Sequence, residues 1–230
     1  MKILAIIPAR GGSKRLPRKN ILELCGKPLI QWTIDTALNC SEIDTVMVST
    51  DCLEIADVAR RQGVEVPYLR SPELSSDTAS SADVVIDVIE YYKSINKYFD
   101  AIILLQPTSP LRSVKDIKNA ITLFNEKKAN AVVSVAECDH SPLWCNTLSD
   151  DLCMDNFISE EVKLSRSQDL PTFYRLNGAI YLVDIKCFCK SKSFMPIDTY
   201  ALVMSQERSI DIDNHMDFKV AEVIHDTIKK

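Results

Sequence analysis

Short apolar runs alternate along this chain with longer stretches in which apolar residues return every three or four positions. An unbroken run of about four to eight apolar residues suits a strand covered on both faces, whereas the longer period suits a helix with one face turned inward. On that pattern, strands are predicted over residues 2–9, 45–49, 64–69, 100–105 and 131–135. Helices are predicted over 28–39, with Pro28 in the first turn, and over 53–62, with Asp51 as a cap candidate and Gly63 as a stop. Two more are expected over 82–93, where Val84, Val85, Val88, Ile89 and Tyr92 share a face, and over 114–127. Strand and helix in alternation predict an α/β fold with a mainly parallel sheet flanked by helices.

The period is lost between 137 and 172, where HSPLW is followed by a polar, acidic stretch and then by KLSRSQDLP. A structureless insert of that length is unusual inside a compact domain, so 138–172 is expected to be a functional excursion from a domain made of 1–137 and 173–230. The sheet should resume at 179–183. A helix over 215–229 should close the fold, with Met216, Val220, Val223, Ile224 and Ile228 on one side.

The chain has 230 residues, of which 46% are hydrophobic, enough for one domain with a substantial core. It carries a net charge of −5, and an acidic balance argues against nucleic-acid binding, which needs a basic face. No apolar run is long enough to span a bilayer, and the opening run is too short for a signal peptide, so no membrane partner and a cytoplasmic location are expected. None of the eight cysteines forms a C-x-x-C pair, and they read as reduced packing residues.

One segment departs from this background. Residues 10–20 hold Arg10, Lys14, Arg15, Arg18 and Lys19 with no acid, beside Gly11 and Gly12, in a chain with only five glycines. Paired glycines can turn successive N–H groups inward as an anion nest, with basic side chains closing over the charge. The P-loop pattern fails because Lys14 is followed by Arg15, and the dinucleotide fingerprint fails because only an adjacent glycine pair exists. A solvated basic turn is the alternative reading.

Three further segments each admit a chemical and a plain reading. Ser75, Ser76, Asp77 and Thr78 suit a helix N-cap, and a loop fixed by a cap is also a place to read a base. In SIDID, Asp211 and Asp213 stand two apart, so an extended chain would point both to one face as hard ligands for a cation; otherwise Asp213 or Asn214 caps the last helix. Gln106 and Thr108 follow a predicted buried strand, where open α/β sheets place ligand residues, and Pro107 and Pro110 stiffen their loop.

Taken together, IPARGGSKRLPRKN, VSTD, LRSPELSSDTASS, LLQPTSPLR, RLNGAIY and SIDID resemble the blocks of the N-acylneuraminate cytidylyltransferases, in order and nearly end to end. The resemblance implies a Rossmann-like nucleotidyltransferase sheet that moves CMP from CTP to the anomeric hydroxyl of a sialic-type, nine-carbon sugar acid and releases pyrophosphate. It implies nucleotide contacts from Arg10, Gly11, Gly12, Ser13, Lys19 and Asn20, with Arg10 and Lys19 on the triphosphate, and from Arg70, Ala79 and Ser81 around the base. It implies sugar-acid contacts from Gln106, Thr108, Arg166, Arg175, Asn177 and Tyr181. It makes Asp211 and Asp213 ligands for Mg2+ or Mn2+, and catalysis then falls to Arg10, Lys19, Asp211 and Asp213. Residues 138–172 become an arm that pairs two copies in a homodimer, with Arg166 lent to the partner's site.

One departure bears on the acceptor. Trp144 follows His140, Ser141, Pro142 and Leu143 where some relatives carry a lysine, so the acid could be N-acetylneuraminate or a diamino relative such as legionaminate. Kdo or another sugar acid is the alternative acceptor within the same chemistry. A kinase-like transferase and a non-catalytic anion or RNA module are the competing classes; the first lacks its loop, the second a basic surface. None of His140, His215 and His225 falls in a block assigned to the reacting centre.

Overall fold

The computed structural model describes residues 1–76 and 78–228. In chain order it comprises β1 (Ile3–Pro8), the hairpin β2 (Glu23–Leu24) and β3 (Lys27–Pro28), α1 (Leu29–Leu38), β4 (Thr45–Ser49), α2 (Leu53–Arg61), and a single turn α3 (Pro72–Ser75). Then come α4 (Ser81–Ser94), β5 (Ala101–Leu104), α5 (Val114–Lys127), β6 (Ala131–Glu137), the short α6 (Glu160–Lys163), β7 (Tyr174–Asp184), α7 (Ile185–Ser191), β8 (Thr199–Met204) and α8 (His215–Ile228).

Six strands form one sheet in the order β4-β1-β5-β7-β6-β8. β1 pairs parallel with β4 and β5, and β6 parallel with β8, whereas β7 runs antiparallel to both of its neighbours. The sheet is thus mainly parallel with one reversed strand. Alternation along β1 sends Ile3, Ala5 and Ile7 to the layer holding α1, α2 and α5, and Leu4 and Ile6 to the layer holding α4 and α7. Both faces are covered, which is why β1 reads as a continuous apolar run.

Several expectations require correction. Residues 64–69 make no strand: one bridge joins Met47 to Glu65, and Pro67, which has no N–H to donate, stands two residues further on. α1 begins after Pro28, because Pro28 already pairs with Glu23 in the hairpin. β7 starts at Tyr174, ahead of 179, and a register shift in β6 between Val133 and Val135 lets the longer strand pair on to Glu137. α2 has Cys52 at its cap position, and Asp51 is used elsewhere.

On α8 the buried residues are Phe218, Ala221 and His225, while Met216, Val220, Val223 and Ile228 are exposed. The helix carries two apolar stripes, and the one with an aromatic ring fits the small cluster of Leu16, Leu24, Leu29 and Ile212. Asn214 caps this helix by accepting from the N–H groups of Met216 and Asp217. Residue 229 of the predicted helix lies outside the described residues.

From 138 to 172 no residue is buried, and Leu148, Leu152, Met154 and Leu164 are exposed. The loss of period there corresponds to a segment with no core of its own.

Candidate active site

The carboxyl ends of β1 and β5 are neighbours, and the chain leaves them in loops on the same edge of the sheet. Between these loops lies a cavity of about 350 Å3. This is the switch-point crevice at which open α/β sheets bind ligands. Arg10, Ser13, Lys19 and Asn20 line it from the β1 loop, Arg70, Ala79 and Ser81 from the stretch between β4 and α4, and Gln106 and Thr108 from the β5 loop. Pro8, Leu74, Ser76, Val84 and Pro107 complete the wall; the sequence assigns none of them a substrate contact of its own.

The glycine pair acts differently from the expected nest. Neither Gly11 nor Gly12 has a positive φ, and the Gly11 N–H is spent on the Asp51 carboxylate at 2.8 Å. What position 11 requires is smallness: a Cβ there would meet the Cβ of Cys52 at 2.9 Å. Gly12 has nothing within 4 Å of such a Cβ. Side chains, more than a backbone nest, give this loop its positive character. The Asn20 amide donates to the Arg10 carbonyl at 3.0 Å, and an Arg10 guanidinium nitrogen donates to the Ser76 carbonyl at 3.3 Å, which aims Arg10 across the cavity.

Arg70 is buried and donates to Ser75 Oγ at 3.2 Å. Burial lowers its pKa; Asp51 opposes that shift and Arg10 adds to it. Two guanidinium groups that repel one another across a cleft favour an anion between them. The helix after this stretch is capped by Ser80, whose Oγ accepts from the Asp83 N–H, and Ser71 caps α3. The candidates Ser75, Ser76 and Thr78 therefore do not cap α4; Asp77 lies outside the described residues.

The far end of the chain comes to the same rim. Lys19 Nζ donates to the Ile212 carbonyl at 2.7 Å and lies 3.4 Å from Asp213 Oδ1, while Arg15 reaches Asp213 Oδ2 at 2.8 Å. Ile212 is fully buried, so Asp211 and Asp213 both turn the other way, as alternation in an extended segment requires. The Ile212 N–H donates to the Thr108 carbonyl at 2.8 Å, which ties the segment to the β5 loop. Burial raises the Asp211 pKa and nearby Asp213 adds to the rise, while a hydrogen bond from Thr108 and the charge of Lys19 oppose it. Two carboxylates turned to one side of an extended segment suit a hard divalent cation, and the residues present fit one.

A second cavity of about 330 Å3 shares Ser81 and Gln106 with the first and is walled by Leu104, Leu176, Tyr181, Phe194 and Met195, with Lys192 at its side. Gly178 sets the join between the cavities: at φ +72 it is left-handed, and a Cβ there would stand 2.8 Å from Gln106 Oε1 and 3.8 Å from Asp211 Oδ2. Burial raises the Tyr181 pKa, with Asp211 adding to the effect.

Asn177 is used internally. Its Oδ1 accepts from Ser134 Oγ at 2.6 Å and from the Ala179 N–H at 3.1 Å, and its Nδ2 donates to Ser209 Oγ at 2.9 Å. Arg175 sits on the β7 extension opposite Ala136, and Arg166 is exposed in 138–172; neither lines these two cavities. Arg112, to which the sequence reading gave no role, is buried and donates to the Ala179 carbonyl at 2.6 Å, to Thr33 Oγ1 at 2.8 Å and to the Gln106 carbonyl at 3.3 Å. Burial lowers its pKa, and its charge is retained to hold the β5 loop against β7. The signal for it was an arginine closing a proline-rich loop after a buried strand.

Fold and site together define a nucleotide-using α/β enzyme with a cationic crevice and a two-carboxylate rim. The chain belongs to the cytidylyltransferase family, whose profile, described as Cytidylyltransferase, matches residues 4–216, and it is a nucleotidyltransferase. It is 40% identical over 229 residues to the CMP-N,N'-diacetyllegionaminic acid synthase of Legionella pneumophila, covering 96% of this chain and 95% of that one. It is 35% identical to the pseudaminic acid cytidylyltransferase of Campylobacter jejuni, covering 98% of this chain and 97% of that one. It is 39% identical to an N-acylneuraminate cytidylyltransferase of Streptococcus agalactiae, where the match covers 95% of this chain and 52% of the relative. A solved structure of CMP:2-keto-3-deoxy-manno-octonic acid synthetase complexed with CTP superposes with a TM-score of 0.73 at 17% identity, covering 99% of this chain and 100% of that one, and shares the fold.

Proposed function

We propose that this protein transfers CMP from CTP to the anomeric hydroxyl of a nonulosonic acid, with release of pyrophosphate. The observation that carries this reading is the meeting of the Arg10–Asn20 loop and the Asp211–Asp213 segment at one cavity rim, through Lys19. In that arrangement Arg10 and Lys19 hold the triphosphate, Ser13 and Asn20 support them, and Arg70, Ala79 and Ser81 face the nucleoside. Phosphoryl-group chemistry of this kind needs positioning and charge neutralisation more than covalent catalysis. Cations fixed before the reaction stabilise charge growing on the leaving oxygens. Asp211 and Asp213 would hold Mg2+ or Mn2+, which supplies further charge neutralisation when bound.

The acceptor acid occupies the second cavity, beside Gln106 and Tyr181, with Thr108 reaching it from the first cavity. That wall is largely apolar, with a lysine for the carboxylate. Acetylated amines bring methyl groups to such a wall, so the apolar lining and the name of the Legionella relative support an acid with acetylated amines as the acceptor. Asn177 and Arg112 position the loops in this reading and touch neither substrate.

Residues 138–172 form an arm that pairs two copies of the chain. Support comes from a segment without a buried residue that exposes Leu148, Leu152, Met154 and Leu164, an apolar surface suited to a second copy. Arg166 on this arm would reach the partner's acceptor. Sedimentation of Leu152→Glu/Leu164→Glu should give a monomer where the parent gives a dimer; a parent that sediments as a monomer overturns the pairing.

The catalytic reading is tested by incubating the protein with each nucleoside triphosphate, Mg2+ and, in turn, N,N'-diacetyllegionaminic, pseudaminic and N-acetylneuraminic acids. CTP alone should yield pyrophosphate and a CMP-sugar, fastest with the first acid. Orthophosphate or ADP as product, or no CMP-sugar with any acid, overturns it.

A further inference from the structure

Away from the cleft, the turn of the β2–β3 hairpin meets the last helix. Cys25 in that turn and His225 and Asp226 on α8 bring their ligand atoms within 4.8 Å of one another. His225 is only 7% exposed, and among the described residues neither ring nitrogen has a hydrogen-bond partner; Nδ1 lies 3.5 Å from Asp226 Oδ1. Buried imidazoles ordinarily engage at least one nitrogen. Trp32 closes the other side, edge-on to the imidazole at 4.6 Å between ring centroids.

We propose that Cys25, His225 and Asp226 form a binding site for one divalent ion of the zinc class, distinct from the two-aspartate rim. Thiolate, imidazole and carboxylate are a borderline-soft donor set that favours Zn2+ over Mg2+, whereas Asp211 and Asp213 offer hard oxygen alone. Metal–ligand bonds of about 2.0 to 2.3 Å at tetrahedral angles put donor atoms about 3.5 Å apart. The trio must therefore draw in by about 1 Å, starting from separations of up to 4.8 Å. Asp226, whose side chain is largely exposed, can swing to do so, and water completes the fourth position.

The ion would tie α8 to the hairpin. Both elements belong to the apolar cluster that seats Leu16 of the basic loop and Ile212 between the two aspartates. Occupancy therefore braces the floor under Lys19 and Asp213 from a position outside the cleft. Sequence spacing does not show the trio, because its members come from opposite ends of the chain.

The test uses the full chain, stripped with a chelator and titrated with Co2+ in excess Mg2+, which fills the hard-oxygen positions. One Co2+ per chain should bind with a thiolate-to-cobalt charge-transfer band in the near ultraviolet. The band should be displaced by Zn2+, be lost in Cys25→Ser and persist in Cys145→Ser/Cys153→Ser. His225→Asn should weaken binding at least about tenfold. Zn2+ should raise the melting temperature of the parent and leave that of Cys25→Ser unchanged, with circular dichroism confirming that the variant is folded. No band in the parent, an undiminished band in Cys25→Ser, or an equal Zn2+ shift in that variant overturns the proposal. None of these readouts depends on nucleotide transfer, so the site stands or falls apart from the proposed reaction.

Discussion

Lys19 Nζ donates to the Ile212 carbonyl at 2.7 Å and lies 3.4 Å from Asp213 Oδ1, so one ammonium joins the basic loop to the aspartate segment. Its side chain is 12% exposed, and water competes weakly for it. Lys19→Ala should lower kcat/KM for CTP by about 100- to 1000-fold, the usual cost of losing one fixed donor to developing charge. Lys19→Arg should recover little, because a planar fork does not replace a point charge. Steady-state kinetics decide the matter: parental activity in the alanine variant would remove Lys19 from the reacting centre.

Gly178→Ala should damage both fold and acceptor use. A left-handed alanine costs about 1–2 kcal/mol, and its Cβ would displace the Gln106 amide that now stands 2.8 Å away. The expected result is a lower melting temperature and a fall in kcat/KM for the sugar acid that exceeds any change for CTP. An equal loss for both substrates would mean that Gln106, which lines both cavities, does not act on the acceptor in particular.

Ser134→Ala separates holding from touching. Ser134 Oγ donates to Asn177 at 2.6 Å and accepts from the Ile180 N–H at 2.8 Å, deep in the sheet. Its removal leaves buried polar groups unsatisfied, at about 1–3 kcal/mol. Urea unfolding should show that loss while KM for both substrates stays near the parental value. A large rise in KM with unchanged stability would mean that Asn177 contacts substrate.

Three of the seven tyrosines should resist alkaline titration. Burial is the first cause that raises Tyr68, Tyr92 and Tyr181; Tyr68 and Tyr92 also donate to Asp87 and Glu65, each at 2.6 Å. With pKa values above that of the unfolded chain, the folded state keeps protons the unfolded state releases. Their contribution is therefore full below about pH 10 and declines as pH rises beyond it. Tyrosinate absorbance should show these three ionising only with unfolding; early ionisation of all seven would contradict the burial.

The parts legible in the sequence are those set by local pattern. β1, β4, β5 and β6 are doubly covered strands whose apolar runs announce them, and α4 and α5 have a single unambiguous stripe. The hairpin is too short for any period to register. β8 lies at the sheet edge with several exposed residues, so its alternation carries little burial signal. α8 offered two stripes, and only the shape of the Leu16–Leu29 cluster chooses between them. In the site, the basic residues stood out by composition, whereas Asp51, Ser134 and Arg112 matter through partners far away in the chain. Nothing in the sequence marks Gly178, whose importance comes from Gln106 beside it.

Because Lys19 and Asp213 lie 194 residues apart, the cleft has a consequence for biosynthesis. A ribosome can extrude β1, β4 and β5 early, yet β7 must insert beside β5 and the aspartates must emerge before the rim closes. Premature termination anywhere upstream of that point leaves a fragment with the basic loop but without Asp211 and Asp213, so the contacts Lys19 makes with Ile212 and Asp213 form only once nearly the whole chain has been made.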